Sequence, residues 1–180
     1  MALSATVHHF TVHLSDVDRG VYETFELKVA RHPSEADDYM VARLLAYCLE
    51  YTEGIAFSRG GLSDPDEPPL AVRDLTGMLQ AWIEVGSPDA ARLHKAAKAA
   101  PRVAVYTHKN PALLLKQLNG EKVHRAERLE LYALDRELVS GMAKRLTRRV
   151  ELDLSVTDRN LYVTIGGETL SGELQRLSPA

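Results

Sequence analysis

Residues 64–98 read DPDEPPLAVRDLTGMLQAWIEVGSPDAARLHKAAK. They predict a β-hairpin followed by a helix, with one carboxylate placed where the two meet. Leu70–Val72 and Met78–Val85 are apolar runs separated by Asp74-Leu75-Thr76-Gly77. An Asp-x-x-Gly order is a type I turn signature. Ser87-Pro88-Asp89 then predicts a helix start, with Ser87 as cap, Pro88 in the first helical position and Asp89 on the positive end of the dipole. The helix runs to about Ala100, Pro101 stops it, and the β-branched run Val103–Thr107 predicts a strand.

Glu84 is the residue of chemical interest, a carboxylate in the apolar strand Trp82-Ile83-Glu84-Val85. An anionic group in partly dry surroundings costs free energy unless a cation meets it. A magnesium ion, or a lysine or arginine of the next helix, meets that need; a plainer reading points Glu84 to solvent on an alternating strand, or pairs it with a nearby arginine and nothing more. Asp74 is the obvious second acid, but hairpin geometry opposes it. A turn at residues 74–77 places Glu84 opposite about residue 69. Asp74 then lies five strand residues away, roughly 16 Å, too far to share a metal. The same hairpin brings the loop acids Asp64, Asp66 and Glu67 near Glu84, so Asp66 or Glu67 is the preferred second ligand. Asp74 returns only if the strand bulges.

Outward from this stretch, periodicity supplies the other elements. Ser4–Leu14 alternates, with His8, Phe10, Val12 and Leu14 on one face, and Tyr22–Ala30 alternates again after a polar turn. These predict an antiparallel strand pair. His32-Pro33-Ser34-Glu35 opens a helix whose stripe is Tyr39, Met40, Leu44, Leu45, Cys48 and Leu49, ended by Gly54. Ser34 caps it, or Pro33 occupies its first turn. Ile55–Arg59 is a short strand and residues 60–69 are the most loop-like in the chain. Residues 109–119 predict a helix, Glu127–Leu134 a strand, and Asp135–Leu146 a helix capped by Asp135. A β tail follows, with Val150, Leu152, Leu154 and Val156 alternating and a turn at Asp158-Arg159-Asn160.

Composition narrows the class. The chain has 180 residues with 22 basic and 25 acidic side chains and one cysteine, consistent with a single domain over residues 1–180. One cysteine excludes an internal disulfide and a multi-thiolate metal site; Cys48, on the apolar stripe, reads as a core thiol. No apolar run approaches the roughly 20 residues that span a bilayer, and the first residues lack the character of a secretory signal. The expected location is cytoplasmic, away from membranes. Phosphate-loop, dinucleotide and nucleophile-elbow motifs are absent. His9 and His13 share a strand face, but four strand residues span about 13 Å, too far to hold one metal. Charge is unevenly spread: residues 1–91 carry a net charge of −9, residues 92–149 of +9 and residues 150–180 of −3. One layout sets acidic groups against a basic rim, suited to metal-assisted chemistry on a polyanion; another only decorates solvated helix faces.

The order helix, strand, strand, strand ending in Glu84, helix, strand resembles the αβββαβ core of the PD-(D/E)XK nuclease superfamily. Shorter blocks resemble the YaeQ family more closely: Ala30-Arg31-His32-Pro33-Ser34-Glu35, Phe57-Ser58-Arg59-Gly60, Asp66-Glu67-Pro68, Asp74-Leu75-Thr76-Gly77, Trp82-Ile83-Glu84-Val85-Gly86, and Pro88-Asp89 with Arg92 and Lys95-Ala96. The resemblance covers nearly the full chain. It implies an α/β (α+β mixed sheet) fold with a restriction-endonuclease-like core, an extra N-terminal hairpin and C-terminal strands.

For chemistry, the superfamily resemblance implies two strand acids and a lysine that together bind Mg²⁺ and activate water. Glu84 matches the third-strand acid. The lysine position is Gly86, and in degenerate members the following helix supplies the cation, where Arg92 and Lys95 share a face. Glu35 resembles an auxiliary acid; a first-turn Glu favoured by the helix dipole explains it equally well. Three functions stay open. The first is a Mg²⁺-dependent nuclease in which Glu84 and Asp66 or Glu67 hold the metal, while Lys95 or Arg92 stabilises developing charge. The second is a nuclease-fold protein without catalysis that binds nucleic acid or a protein partner. The third is a purely protein-interacting module.

Overall fold

The structure, a computed structural model, describes residues 6–58 and 66–178. Arg59, Gly60 and Asp64, named above, lie outside the described residues. In chain order the elements are β1 (Thr6–Asp16), β2 (Val21–Arg31), α1 (Asp37–Leu49), β3 (Ile55–Phe57), β4 (Leu70–Arg73), β5 (Leu79–Val85), α2 (Ala90–Ala99) and β6 (Arg102–Thr107). There follow α3 (Pro111–Leu118), β7 (Glu130–Ala133), α4 (Arg136–Ala143), β8 (Arg149–Thr157), β9 (Asn160–Ile165), β10 (Glu168–Glu173) and β11 (Gln175–Leu177). This is a mixed α and β fold with two mixed sheets. The chain divides into two compact units, Met1–Val41 with Leu134–Gln175, and Ala42–Ala133 with Arg176–Ala180.

The first unit holds a five-stranded sheet in the order β10-β9-β8-β1-β2. The predicted hairpin forms, with Phe10 opposite Leu27 and Val12 opposite Phe25. Its alternation is the burial pattern: Phe10, Val12 and Leu14 are buried with Leu152, Leu154, Leu161 and Val163 of the later strands. β1 also pairs in parallel with β8. The Asp18 carboxylate accepts the backbone N–H groups of Asp158 and Arg159 at 2.7 and 2.9 Å, joining the two turns of this sheet. Both of those residues have positive φ, 51° and 61°, which their fixed hydrogen bonds offset.

The second unit holds a six-stranded sheet in the order β11-β7-β6-β5-β4-β3. β3, β4 and β5 are antiparallel neighbours, and β5-β6-β7 run parallel. Trp82, Val103, Val105 and Leu131 of the strands pack with Leu93, Ala96 and Ala97 of α2 and Leu114 of α3. Small alanines on α2 let the helix approach the sheet closely, so its burial is driven by area removed from water rather than by large side chains.

Four local expectations are corrected. α1 begins at Asp37, because the Ser34 hydroxyl is engaged by His32 Nδ1 at 2.6 Å and does not cap. From Met40 to Glu50 every residue of that segment is buried, so the apolar stripe read from the sequence is too narrow. α2 is capped by Asp89, whose carboxylate accepts the Arg92 N–H at 2.8 Å. Asp89 brings a negative charge to the helix N-terminus, which Ser87 lacks. The strand expected over residues 127–134 is instead a short 3-10 turn at Ala126–Arg128 and the four-residue β7.

The β4–β5 hairpin is clamped from the side by Gly54. Its φ is +91°, and a Cβ there would stand 2.1 Å from the Arg73 carbonyl oxygen. The Arg73 N–H donates to the Gly54 carbonyl at 3.1 Å. Backbone in that region favours glycine, and the close approach leaves no room for a methyl group. Gly54→Ala is expected to lower stability by about 3 kcal/mol, read from the urea midpoint; an unchanged midpoint would show that the clamp does not constrain the hairpin.

Candidate functional site

The site is built by β5, the start of α2 and residues 66–68. Trp82 and Glu84, two residues apart on β5, project to the same side of the sheet. Both are buried, Glu84 at 4% exposure. The indole Nε1–H of Trp82 donates to Glu84 Oε2 at 2.9 Å, and Arg92 Nε donates to the same oxygen at 2.7 Å. The guanidinium also lies over the Trp82 ring, 5.6 Å from its centroid. Arg92 reaches this place because Asp89 caps α2 and sets the first turn directly after β5. Burial pushes the Glu84 carboxyl above its ordinary range, opposed by the hydrogen bond from Trp82 and the charge and hydrogen bond of Arg92.

The loop acids arrive differently from the sequence expectation. Arg92 Nη2 donates to the main-chain carbonyl of Glu67 at 2.9 Å, so the guanidinium ties β5 to residue 67 through backbone. The Glu67 carboxylate accepts the Ser58 hydroxyl at 2.7 Å. Asp66 forms an ion pair with Lys95 at the surface, and that lysine, by hydrogen bond and charge, holds the Asp66 carboxyl below its ordinary range. Glu84 thus meets Trp82 and Arg92, Asp66 meets Lys95, and Glu67 meets Ser58. Among the described residues no three His, Cys, Asp or Glu side chains group to hold a metal ion. A hard divalent cation is usually bound through carboxylate oxygens that share it. Here the cation beside the buried carboxylate is the guanidinium, and this donor arrangement does not fit Mg²⁺.

Asp74 closes the turn. Gly77 N–H donates to the Asp74 carbonyl at 3.0 Å. Its carboxylate accepts from the Thr76 N–H and hydroxyl, the Met78 N–H and the Gln80 amide. Those hydrogen bonds, the Thr76 hydroxyl first, hold its carboxyl below the ordinary range. The register does shift between Val72 and Arg73, the irregularity on which Asp74 depended, yet Leu70 stands opposite Ile83 and Arg73 opposite Leu79, so Asp74 stays at the far end of the hairpin from Glu84. Glu35 belongs to the first unit and is buried, two residues ahead of α1, with its carbonyl accepting from Arg31. Cys48 is a buried free thiol. The His13 imidazole meets Glu151 and Thr24 on the five-stranded sheet.

At position 86, where the superfamily resemblance would put a lysine, the backbone favours glycine. Gly86 has φ +99° and donates its N–H to the Tyr106 carbonyl at 2.9 Å. That left-handed region disfavours any side chain, so the chain leaves β5 by a glycine turn where a lysine would be strained.

Two groups were not singled out by sequence reasoning. Trp82 could have been found, since a period of two puts its indole beside Glu84. The second is a network in which Arg102 bonds Glu50 and Glu130 and the Tyr106 hydroxyl donates to Glu50 at 2.7 Å; its members are scattered along the chain with no spacing to connect them.

Comparison with known proteins places these features in a lineage. The family model described as YaeQ protein matches residues 1–174. The uncharacterised protein YaeQ of Escherichia coli (strain K12) is 33% identical over 165 residues, covering 91% of each chain. That of Salmonella typhi is 31% identical over 175 residues, covering 97% of this chain and 96% of its own. The crystal structure of YaeQ protein from Pseudomonas syringae matches with a TM-score of 0.86 and 32% identity, covering 97% of this chain and 96% of that one. The YaeQ structure from Xanthomonas axonopodis pv. citri matches with a TM-score of 0.87 and 30% identity, covering 96% and 98%. A β5 carboxylate closed by a helix arginine is thus seated in a chain that belongs to the YaeQ family.

Proposed function

We propose that this chain is a nuclease-like protein in which Arg92 occupies the place of the catalytic cation, and that it binds a nucleic-acid backbone without cutting it. The observation that carries the reading is the Arg92–Glu84 pair with the Trp82 N–H on the same oxygen. A carboxylate so engaged has its charge met before any metal arrives. The element order α1-β3-β4-β5-α2-β6 supports a restriction-endonuclease-like core, and Gly86 in its left-handed conformation supports loss of the lysine. Affinity for a polyanion is assigned to exposed cations outside that pair: Lys98, Lys109, Lys116, Lys122, Arg125 and Arg128. Phosphate contacts of this kind release counterions and make binding steeply salt-dependent.

The test combines cleavage and binding on single- and double-stranded DNA and RNA. Incubation with Mg²⁺ or Mn²⁺ is expected to give no turnover. Binding is expected to weaken with salt at a log–log slope of about −4, and to lose at least half of that slope when Lys122, Arg125 and Arg128 are changed together to Ser. Metal-dependent cleavage abolished by Glu84→Ala would overturn the non-catalytic reading. Absence of salt-dependent binding to any of the four substrates would overturn the nucleic-acid reading.

A further inference from the structure

Beside β3 and β4 lies a cavity of about 340 Å³, within the size range of small-ligand sites. Its lining includes the small residues Gly54 and Ala56 from the β3 side and Ala71, which pairs directly with Ala56, together with the larger Phe57 and Pro68. The two ends carry opposite charge. At one end Ser58 lies against Pro69, its N–H donating to the Pro69 carbonyl, and beside it stands the Glu67 carboxylate, one oxygen of which takes the Ser58 hydroxyl. At the other end is Arg73, opposite Gly54, with one guanidinium nitrogen reaching the Gly77 carbonyl at 3.5 Å. The steric demand at Gly54 keeps this end open, since any side chain there would meet the Arg73 backbone.

Length and charge select the occupant. From Gly54 to Ser58 is four residues of extended chain, about 13 Å. An extended peptide advances roughly 3.3–3.6 Å per residue, so three residues span about 10 Å, and a hydrogen-bond length of about 3 Å at a charged end takes up the remainder. A free peptide carries an ammonium at its start and a carboxylate at its end. Glu67 supplies an acceptor for the first, assisted by Ser58. Arg73 supplies donors for the second, in the fork geometry that carboxylates match. The small residues Gly54, Ala56 and Ala71 admit an approaching backbone, and Phe57 and Pro68 supply apolar contact for small side chains.

We infer that this groove binds a short zwitterionic peptide, of about three residues with small side chains, its N-terminus at Glu67 and its C-terminus at Arg73. The inference does not depend on nucleic-acid binding. Recognition by two charged ends also makes a testable asymmetry: blocking one terminus of the peptide matters only while its protein partner is intact.

Calorimetry with trialanine tests this, alongside N-acetyl-trialanine and trialanine amide. The wild-type protein is expected to bind trialanine saturably at millimolar concentration and to bind each capped peptide at least tenfold more weakly. Glu67→Gln should weaken trialanine and erase the effect of N-acetylation. Arg73→Gln should weaken it and erase the effect of C-amidation. Both positions lie at the cavity rim, and circular dichroism verifies that each variant keeps its fold. No saturable heat with the wild type overturns the inference, as does binding that is indifferent to both caps. Binding that responds to the caps but not to either substitution places the peptide elsewhere and overturns the assignment to this groove.

Discussion

Arg92→Ala is expected to destabilise the protein by about 3 kcal/mol at neutral pH, with a loss that grows as pH rises. The Glu84 side chain is 5% exposed and that of Arg92 26%, so the arginine shields a carboxylate that water scarcely reaches. Without it, among the described residues, the Trp82 N–H is the one side-chain donor left to Glu84. The buried charge must then be carried unpaired or removed by taking up a proton. Burial already raises the Glu84 carboxyl above its ordinary value of 4.5, with Trp82 and Arg92 pulling against it; removing Arg92 lifts it further. A carboxyl raised in the folded state favours folding while protonated. That contribution is fully present below the unfolded value and is lost as pH climbs through the folded one. Urea unfolding from about pH 5 to about pH 8 should therefore show a steeper decline for Arg92→Ala than for the wild type. Glu84→Gln in the same background should recover most of the loss and flatten the profile, because an amide leaves no charge to strand. Arg92→Lys should fall between, since an ammonium does not span the Glu84 carboxylate and the Glu67 carbonyl as a planar fork does. A loss below about 1 kcal/mol for Arg92→Ala would mean that water solvates Glu84 and that the pair is a surface one.

The candidate site was legible in proportion to how local its geometry is. The hairpin turn follows from Asp74 and Gly77 and keeps Asp74 away from Glu84, whereas the register shift between Val72 and Arg73 has no marker in the sequence. The need for a cation near Glu84 followed from burying a carboxylate in an apolar strand. Arg92 and Lys95 were both visible as helix neighbours three residues apart. What was not legible is which donor each acid takes. Asp66 turns to Lys95, Glu67 turns its side chain to Ser58, and Arg92 takes a backbone carbonyl. Those choices depend on distances of a few ångströms across segments distant in sequence, where periodicity is silent. The parallel pairing of β1 with β8 was hidden for the same reason, since alternation names a strand's buried face and not its neighbour. Helix starts failed more simply. Ser34 and Ser87 are good caps by type, but each chain segment offered a competitor, His32 for the hydroxyl and Asp89 for the helix dipole.

Arg102→Met is expected to lose about 3 kcal/mol, the low end for a buried pair because the Arg102 side chain is 37% exposed and solvent screens it. Arg102 donates through Nη1 and Nη2 to Glu50 and through Nε and Nη2 to Glu130, at 2.6 to 3.0 Å. Glu50 is 8% exposed and also accepts the Tyr106 hydroxyl. One guanidinium thus meets two carboxylates contributed by the residue after α1 and by β7; its loss leaves buried Glu50 with the neutral Tyr106 hydroxyl, and Glu130 with the Tyr132 hydroxyl and the more distant Arg176. Burial alone would raise the Glu130 carboxyl, but the Arg102 hydrogen bond and charge hold it below its ordinary 4.5. A carboxyl lowered in the folded state stabilises above its unfolded value, and that part is lost as pH falls through the folded one. The wild type should therefore lose stability in acid through Glu130, a component smaller in Arg102→Met, where Tyr132 and Arg176 still favour the charged carboxylate. Burial pushes the Tyr106 hydroxyl well up, as does the nearby Glu50 charge, so it remains a donor across the measurable range. The decisive comparison is the triple variant Glu50→Gln, Arg102→Met, Glu130→Gln. Removing all three charges together removes the desolvation cost along with the attraction, so its stability should return to within about 1 kcal/mol of wild type. A triple variant as unstable as the single one would mean that the arginine acts by packing its stem rather than by neutralising the two acids, and urea midpoints with matched slopes distinguish the two.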